Sequence, residues 1–409
     1  MTTDDPQALV DTFLSPPFTA DPYPVYDRLR DVAPVFRSET AGLWFASDYA
    51  SCEGVFRSPS FGQGVNAGGL RDDPRFADSP ALQVLANMMV FLDPPDHTRL
   101  RRILSPYFTP RAIEAMRVFT AGLVDRLLDD FARAGGGDLV DDYARNIPVA
   151  VVCQMLGGMG EEDQERCQRW SDGLVEAVHP VVTDEMLARA DTAASGFSEY
   201  VRGLVERARA GNDSGMLGAL VAEHDAGAVS DDELLAQATI LVGAAFHNTK
   251  NHIAMGIWTL VRNPDQLELL RADPALARPA AEELLRYEPP VQLTLPRLAF
   301  EDVELASHTI PAGDQVIGVI GGAHRDPARY KEPTRLDITR ADAGSLALAQ
   351  GIHSCLGAAM ARLEGEIAIG SFVQRFPEIT LLDEEPEVDV AGLPLTRGFR
   401  AIRVEVSGP

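Results

Sequence analysis

The sequence predicts a mainly α-helical chain with a small β portion, an α+β fold. Helical patterning runs from residue 110 to about residue 223, and again over about thirty residues that start at 231. Short strand-like pieces occur near residue 40 and after residue 290. No repeat, low-complexity tract or Pro/Ser-rich linker divides the chain. We therefore expect one domain over 1–409, a helix-rich core with a small β-rich N-terminal portion.

Composition restricts the class of protein. The 409 residues are 45% hydrophobic and 24% charged, which is typical of a globular chain with a large core. The net charge of −25 argues against binding to nucleic acid and against docking on an anionic membrane. No segment has the pattern of a signal peptide or of a membrane span of about 18 apolar residues. The four cysteines show no regular spacing, which favours a reduced, cytoplasmic compartment.

The N-terminal quarter predicts short elements followed by a long loop. The elements, in order, are a helix after Asp21-Pro22, strands near 35–37 and 43–46, and a helix at 49–56. Residues 58–79 are rich in Gly, Asp and Pro, and loops of that length are usually either disordered or functional. Phe61, Gln63 and Val65 make this loop a candidate for ligand binding.

A basic helix is predicted to begin near His97. His97, Arg101 and Leu104 fall on one face, at positions i, i+4 and i+7. Such a strip is more often a solvated cationic face, but one that also carries histidine could bind carboxylates.

The segment that starts at 231 predicts a long, buried helix. Ser230 and Glu233 form a capping-box pattern at its start, and Asn263-Pro264 ends it. Because most of the helix is apolar on every side, we expect it to cross the protein interior. Residues 247–251 interrupt it with consecutive polar groups, which are costly to bury without partners. They either face a cavity, which we favour, or are satisfied by packing.

Residues 351–357 read G-x-H-x-C-x-G, a cysteine in a tight turn between glycines. Glycines let the chain turn closely around a flat ligand. The apolar helical run that follows would place the sulfur near a helix N-terminus, where an anion is favoured. A thiolate that binds a soft metal needs these features, although Cys355 could instead be a small buried hydrophobe.

The order of the motifs resembles that of the cytochrome P450 family over essentially the whole chain. The motifs are a long central helix, E-x-x-R at Glu283 and Arg286, P-x-R-Y at 327–330, and the cysteine loop. E-x-x-R alone is usually a surface ion pair. The resemblance implies the P450 fold, with haem b between the central helix and the cysteine loop and Cys355 as the axial iron ligand. It also implies a structural triad of Glu283, Arg286 and Arg329.

The same resemblance assigns the other site residues. Arginine and histidine suit the haem propionates through charge-assisted hydrogen bonds. The implied cofactor-binding residues are His97, Arg101, Arg297, His353, Cys355 and Gly357. Substrate pockets in the family are lined by segments matching the loop after residue 58, the central helix, 291–295 and 393–396. The implied pocket residues are Phe61, Gln63, Met89, Ala244, Ala245, Gln292, Leu293 and Leu395.

Two positions depart from the family pattern. The ligand loop usually begins F-G-x-G, whereas residues 348–351 read Leu-Ala-Gln-Gly, which changes the surroundings of the thiolate but not the ligation. In the central helix, His247 and Asn248 replace the usual acid and threonine. An asparagine amide can donate a hydrogen bond but cannot readily relay a proton, whereas histidine can.

We therefore hypothesise that proton delivery runs through His247, Thr249, ordered water or the substrate, with Cys355, His247, Asn248 and Thr249 as the catalytic residues. The alternative is that His247 points away and is satisfied within the helix bundle.

The resemblance implies a haem-thiolate monooxygenase, monomeric, that takes two electrons from a ferredoxin and its reductase. The expected substrate is a small aromatic or apolar secondary metabolite. One alternative is radical C–C or C–N coupling, for example of aromatic cyclic dipeptides, without oxygen insertion. A second alternative is a haem-binding sensor or carrier with no turnover.

Overall fold

The computed structural model describes residues 4–15, 20–64, 69–156, 161–178, 182–212, 215–341, 344–389 and 394–407, without the side chains of 161, 162, 164, 212, 244 and 245. Helices dominate. They are α1 Pro6–Leu14, α2 Tyr23–Val32, α3 Tyr49–Arg57, α4 Pro80–Ala86, α5 Asp96–Leu104, α6 Pro110–Ala115, α7 Arg117–Ala134, α8 Asn146–Leu156, α9 Glu161–Val175, α10 Asp184–Arg207, α11 Met216–Asp225, α12 Asp231–Val261, α13 Pro264–Ala272, α14 Ala277–Tyr287, α15 Ile320–Ala323 and α16 Ala358–Arg375. The predicted mainly helical class is confirmed.

The strands are short and form three small sheets. They are β1 Val35–Ser38, β2 Leu43–Ala46, β3 Phe61–Gly62, β4 Gly136–Asp138, β5 Arg297–Ala299, β6 Val303–Leu305, β7 His308–Ile310, β8 Gln315–Gly318, β9 Glu378–Leu381 and β10 Arg403–Ser407. The largest sheet has the order β1-β2-β8-β5-β3, and the others are β4-β10-β9 and the hairpin β6-β7. The five-stranded sheet thus combines N-terminal strands with strands from beyond residue 290.

The chain divides into two compact units, each built from separated segments. The first comprises Met1–Gly62, Val124–Ala144 and Asn251–Pro409, and the second comprises Gln63–Leu123 and Arg145–Lys250. The one-domain boundary over 1–409 stays a prediction.

In the first unit, Phe56 belongs to the apolar core of the five-stranded sheet, and Phe45 belongs to the apolar core beside α2. In the second unit, α4 packs on α10, and Asp191 on α10 accepts hydrogen bonds from Ser79 Oγ (2.5 Å) and from the backbone N–H of Ala81 (3.0 Å). Because these donors lie at the start of α4, the carboxylate of Asp191 fixes that helix end.

The helix boundaries follow the capping signals. The N–H of Ser230 donates to Glu233 Oε2 (2.9 Å), and the N–H of Glu233 donates to Ser230 Oγ (3.2 Å), as the capping box predicts. Glycines that would interrupt the helical pattern occur at 135–137 and at 157–158; α7 ends directly before the first group, and the second lies outside the described residues. Among the helices that are described, none combines the length and the apolar composition required to cross a membrane.

The N-terminal helix α2 is fastened to later parts of the first unit through Tyr23. The Tyr23 hydroxyl donates to Glu288 Oε2 (2.9 Å), which also accepts from Arg397 Nη1 (2.7 Å). The Arg325 guanidinium lies 4.2 Å from the Tyr23 ring centroid and 4.3 Å from that of Tyr287. Both arginines are buried, so stacking and pairing compensate their lost hydration.

Candidate active site

The cysteine loop ends directly before α16. Residues 351–353 form one 3₁₀ turn, and Gly357 is the N-cap of α16. The N–H of Cys355 donates to the carbonyl of Leu348 (2.8 Å), which closes the loop on itself. Cys355 therefore lies two residues before the helix N-cap, where the helix dipole favours a thiolate.

Cys355 differs from the other three cysteines in its exposure. Its side chain is exposed, whereas Cys52, Cys153 and Cys167 are buried. Burial raises the pKa of Cys153 and of Cys167 to about 12, so these two thiols remain protonated. Of the four, Cys355 is thus the one that can present sulfur to a metal.

Two positions in the loop take the left-handed conformation. Gly351 has φ +71°, and a Cβ atom built there would lie 2.3 Å from the carbonyl oxygen of Phe56, so only glycine fits. Ala349, where the family pattern has glycine, has φ +54°. This departure therefore leaves the turn in place but adds the steric cost of a left-handed alanine.

A fully buried ion pair lies on α14. Arg286 donates from Nε and Nη2 to the two carboxylate oxygens of Glu283, both at 2.7 Å, and the two side chains are 0% and 1% exposed. Arg286 Nη1 donates to the carbonyl oxygens of His324 and Pro333, both at 2.8 Å. Glu283 also accepts from the N–H of Asp337 (3.1 Å). The paired charges are thus surrounded by further hydrogen bonds, the condition under which burying them is tolerable.

The second arginine on Glu283 is Arg340, whose Nε lies 3.3 Å from Oε1. Arg340 was not singled out from the sequence. The Arg329 guanidinium lies over the rings of Tyr49 and Tyr330, at 5.0 and 4.9 Å. Its membership of the triad stays a prediction.

His324 connects the ion pair to the cysteine loop. Its ring Nε2 accepts a hydrogen bond from the N–H of Leu346 (2.8 Å), and the carbonyl of Leu346 accepts from the N–H of Ala349 (2.9 Å). Burial, together with the positive charge of Arg286, lowers the pKa of His324 to about 3, so the ring is neutral and Nε2 can accept. A continuous series of contacts therefore runs from Arg286 to the turn before Cys355.

Two further ionisable groups are buried in the first unit, and sequence patterns did not reveal them. Both ring nitrogens of His252 on α12 are buried without a hydrogen-bond partner among the described residues, and burial lowers the pKa of this histidine to about 4. Glu364 on α16 is 3% exposed, and burial raises its pKa to about 8. A Cβ atom on Gly365 would lie 2.6 Å from His252 Nε2, so α12 and α16 meet closely here.

The predicted propionate partners occupy polar positions in both units. In the second unit, His97 and Arg101 lie one turn apart on α5, with His97 buried and Arg101 half-buried. In the first unit, Arg297 is buried at the start of β5, and His353 is half-buried in the 3₁₀ turn before Cys355. Their role toward haem stays a prediction.

In the second unit, His247 on α12 contacts Asp172 on α9. His247 Nε2 lies 3.0 Å from Asp172 Oδ1. Asn248 Oδ1 is buried and has no hydrogen-bond partner among the described residues, while Thr249 is buried. Whether His247 relays protons or is satisfied between the helices stays a prediction. No sequence pattern singles out Asp172, because a single aspartate on an amphipathic helix is ordinary.

The predicted pocket residues fall in different surroundings. Gln292 and Leu293 are brought together with Leu395, whose carbonyl accepts from both of their N–H groups (2.8 and 3.3 Å). Leu293 belongs to the apolar core beside α2, and Phe61 to the core of the five-stranded sheet. The contribution of all these residues to a pocket stays a prediction.

In the second unit, the N–H of Met89 donates to Gln237 Oε1 on α12 (3.1 Å), and the N–H of Gln63 donates to Asp93 Oδ1 (2.9 Å). Residues 65 and 393 and the side chains of Ala244 and Ala245 lie outside what the structure describes.

Comparison with known proteins identifies the family. The sequence profile described as cytochrome P450 matches residues 70–392. The chain is 36% identical to cytochrome P450 monooxygenase PikC of Streptomyces venezuelae, over 98% of this chain and 95% of that protein. It is also 36% identical to vitamin D(3) 25-hydroxylase of Pseudonocardia autotrophica, over 96% and 95% of the two chains. The solved structure of CxnD, a P450 for C–S bond formation in chuangxinmycin biosynthesis, covers 97% of this chain and 96% of its own, with 30% identity and a TM-score of 0.88. The chain therefore belongs to the cytochrome P450 family.

Proposed function

We propose that this P450 monooxygenase binds its haem b through the thiolate of Cys355 and oxidises a small apolar or aromatic secondary metabolite. The observation that carries the proposal is the exposed sulfur of Cys355 just before α16, in a chain whose other cysteines are buried. When bound, the haem supplies the chemistry, because thiolate-ligated iron activates dioxygen once two electrons are delivered. The protein itself binds and orients the haem and the substrate, and it moves protons.

The donor set of the chain fits a haem. His97, Arg101, Arg297 and His353 offer donors for two propionates, and such charge-assisted hydrogen bonds are strong. Gly357 leaves the main chain beside the sulfur without a Cβ atom. The buried, unpartnered oxygen of Asn248 is an acceptor that a bound water or substrate would satisfy.

The α12 segment holds the groups that would handle protons. We assign His247 as the group that stores and passes a proton, since an imidazole ring can both accept and donate one. Asn248 orients a neighbour by hydrogen bonding, and Thr249, with a hydroxyl that both donates and accepts, can continue a chain of hydrogen bonds. Exchanging His247 for glutamine should leave haem binding intact. It should lower the fraction of the supplied electrons that is used to form product.

Relatives support the substrate class. One 34%-identical relative is named 6-deoxyerythronolide B hydroxylase, and a solved neighbour with a TM-score of 0.84 is the monooxygenase TamI bound to tirandamycin C. The first name refers to a hydroxylation and the second to a monooxygenase with a bound organic molecule.

Oxidative coupling is the second candidate reaction. It is favoured by the His247-Asn248 departure and by the likeness to CxnD, which forms a C–S bond. Product analysis under ¹⁸O-labelled dioxygen separates the two reactions. Label in the product supports oxygen insertion, and an unlabelled coupled product supports coupling.

Electron supply is assigned to a ferredoxin and its reductase, since P450 relatives generally take electrons from redox partner proteins. Because the chain carries a net charge of −25, docking of an acidic carrier requires a local basic patch. Two arginines are candidates for this patch, Arg102 and Arg362. Arg102 is exposed, whereas Arg362 forms an ion pair with Glu282.

The test of the ligand assignment is spectroscopic. The reduced, carbon-monoxide-treated protein should show the Soret band of thiolate ligation, and Cys355→Ser should abolish it. Cys153→Ser is the control, because this buried cysteine should leave the band unchanged. Retention of the band in Cys355→Ser would refute the assignment. Difference spectra against a panel of macrolides, steroids and aromatic peptides then identify which class shifts the haem spectrum.

A further inference from the structure

Within the second unit, two neighbouring residues of α9 contact α12. Ser171 Oγ donates to the carbonyl oxygen of Gly243 (3.2 Å), and Asp172 Oδ1 lies 3.0 Å from His247 Nε2, one helical turn further along α12. The side chains of His247 and Asp172 are 24% and 46% exposed. The carboxylate–imidazole contact is within hydrogen-bonding distance, but the ring N–H is not aimed straight at the oxygen. It is therefore a bent contact between an imidazole N–H and a partly exposed carboxylate.

The charges around this pair keep the carboxylate ionised. Burial alone would raise the pKa of Asp172, but the hydrogen bond from His247 and the positive charges of His247, Lys250 and Arg145 together lower it below its usual value. Arg145 Nη2 lies 3.9 Å from the other carboxylate oxygen. Because an ionised carboxylate can only accept a hydrogen bond, the nitrogen that faces it must carry the hydrogen.

We propose that Asp172 is a positioning residue for His247: it holds the hydrogen on Nε2 and leaves Nδ1 as the nitrogen that takes up and releases protons. This inference rests on the proposed role of His247 as the proton carrier. A neutral imidazole without such a partner populates both tautomers, so part of its population carries the hydrogen on Nδ1. With Asp172 in place, a proton that arrives at Nδ1 produces an imidazolium stabilised by the carboxylate. The same proton leaves from Nδ1, and Asp172 stays ionised throughout.

The experiment compares Asp172→Asn with Ser171→Ala in the holoenzyme. An asparagine amide can donate as well as accept, so Asp172→Asn removes the preference for hydrogen on Nε2. Ser171→Ala is the matched control, because it removes the neighbouring α9–α12 hydrogen bond without touching the carboxylate. The tautomer is read by ¹⁵N NMR of histidine-labelled protein in its reduced, carbon-monoxide-bound form, with His247→Gln to assign the signal. We expect hydrogen on Nε2 in the unmodified chain and in Ser171→Ala, and a mixture of tautomers in Asp172→Asn.

A kinetic measurement shows whether the ring nitrogen that carries the hydrogen affects the rate of proton transfer. The dithionite-reduced holoenzyme is mixed with air-saturated buffer, and the rate of haem reoxidation is followed across the neutral pH range as a report of proton access. We expect this rate to fall about tenfold in Asp172→Asn, at the lower end of the effect of removing a histidine's carboxylate partner. In Ser171→Ala we expect it to stay within about twofold of the unmodified chain.

These outcomes distinguish the positioning role of Asp172 from the proton-relay role of His247. An unchanged tautomer in Asp172→Asn, or an equal effect of Ser171→Ala, overturns the role of Asp172. A reoxidation rate and pH profile unchanged in His247→Gln overturn the relay assigned to His247, and the NMR result still decides whether Asp172 sets the tautomer.

Discussion

The tetrapeptide Glu-Leu-Leu-Arg occurs twice in this chain, at residues 268–271 on α13 and at 283–286 on α14. Both copies form an i, i+3 ion pair within a helix. In the first, the glutamate and arginine are 67% and 21% exposed; in the second, they are 1% and 0% exposed. Arg271 donates to one distant carbonyl, that of Phe376 (3.0 Å), whereas Arg286 donates to three, including that of His324.

The difference shows that neighbours, and not the motif, determine what an ion pair does. Water screens the α13 pair, so its contribution to stability is small. The α14 pair is dry and satisfied on all sides, and through His324 it supports the turn before Cys355. The same tetrapeptide therefore forms a weak surface ion pair on α13 and a buried structural ion pair on α14.

The largest expected effect comes from neutralising the two glutamates in turn. Glu283→Gln leaves Arg286 buried without its counter-charge, which should lower the free energy of unfolding by about 3–5 kcal/mol and reduce haem content. Glu268→Gln, the matched control in the same tetrapeptide, should cost less than about 1 kcal/mol. Urea unfolding measures both. Equal losses in the two variants would contradict the difference between the pairs.

The next effect tests the loop that the buried pair supports. Gly351→Ala forces a Cβ atom into the carbonyl of Phe56 at a left-handed position, which should cost about 2–5 kcal/mol. We expect a lower haem-to-protein ratio in the absorption spectrum. Gly122→Ala on α7, where a Cβ atom has open space, is the control and should bind haem normally. Full haem content in Gly351→Ala would show that the loop can relax.

Buried ionisable groups should give stability a characteristic pH dependence. His252 and His324, with pKa values of about 4 and about 3, stay neutral in the folded protein while their unfolded forms bind protons below about 6.5, so stability falls as pH decreases from there. Glu364, with a pKa of about 8, keeps its proton when folded but loses it above about 4.5 when unfolded, so its contribution falls as pH rises toward 8.

These three groups together place the stability maximum near pH 6.5, with slopes of up to about 1.4 kcal/mol per pH unit on either side. Unfolding by urea at a series of pH values measures the curve. Glu364→Gln should flatten the limb above the maximum. It should also steepen the limb between about pH 4.5 and 6.5, where the contribution of Glu364 otherwise offsets part of that of the two histidines. A curve whose alkaline limb is the same in this variant would exclude Glu364 as its source.

The smallest effect is a gain in stability. Ala349→Gly removes a left-handed alanine from the ligand loop and should raise the free energy of unfolding by about 0.5–1 kcal/mol. Ala306→Gly is the control, because Ala306 has a similar φ of +52° in the β6–β7 turn, away from the cysteine. A similar gain in both variants, with an altered Soret band only in Ala349→Gly, would link the strain at 349 to the haem. A loss of stability in Ala349→Gly would contradict the steric argument.

The parts that sequence predicts well are those set by local chemistry. The capping box at Ser230 and Glu233 located the start of α12, and two strand-like stretches around a glycine-containing turn located β1 and β2 within one residue. Partners that meet through the tertiary fold were not predictable in this way. Asp172, Arg340 and His324 look ordinary in sequence, and each becomes meaningful only through the residue that it contacts.

The contacts that Tyr23 of α2 makes with Arg325 and Glu288 have a practical consequence for protein engineering. Tyr23 covers one face of the Arg325 guanidinium and donates its hydroxyl hydrogen to Glu288, so it belongs to the interior even though it lies near the beginning of the chain. Shortening the chain past this tyrosine, or joining an electron-carrier module directly onto α2, would expose one face of the Arg325 guanidinium to water and remove a hydrogen-bond donor from Glu288. Fusions should therefore be made ahead of α1, or at the opposite terminus.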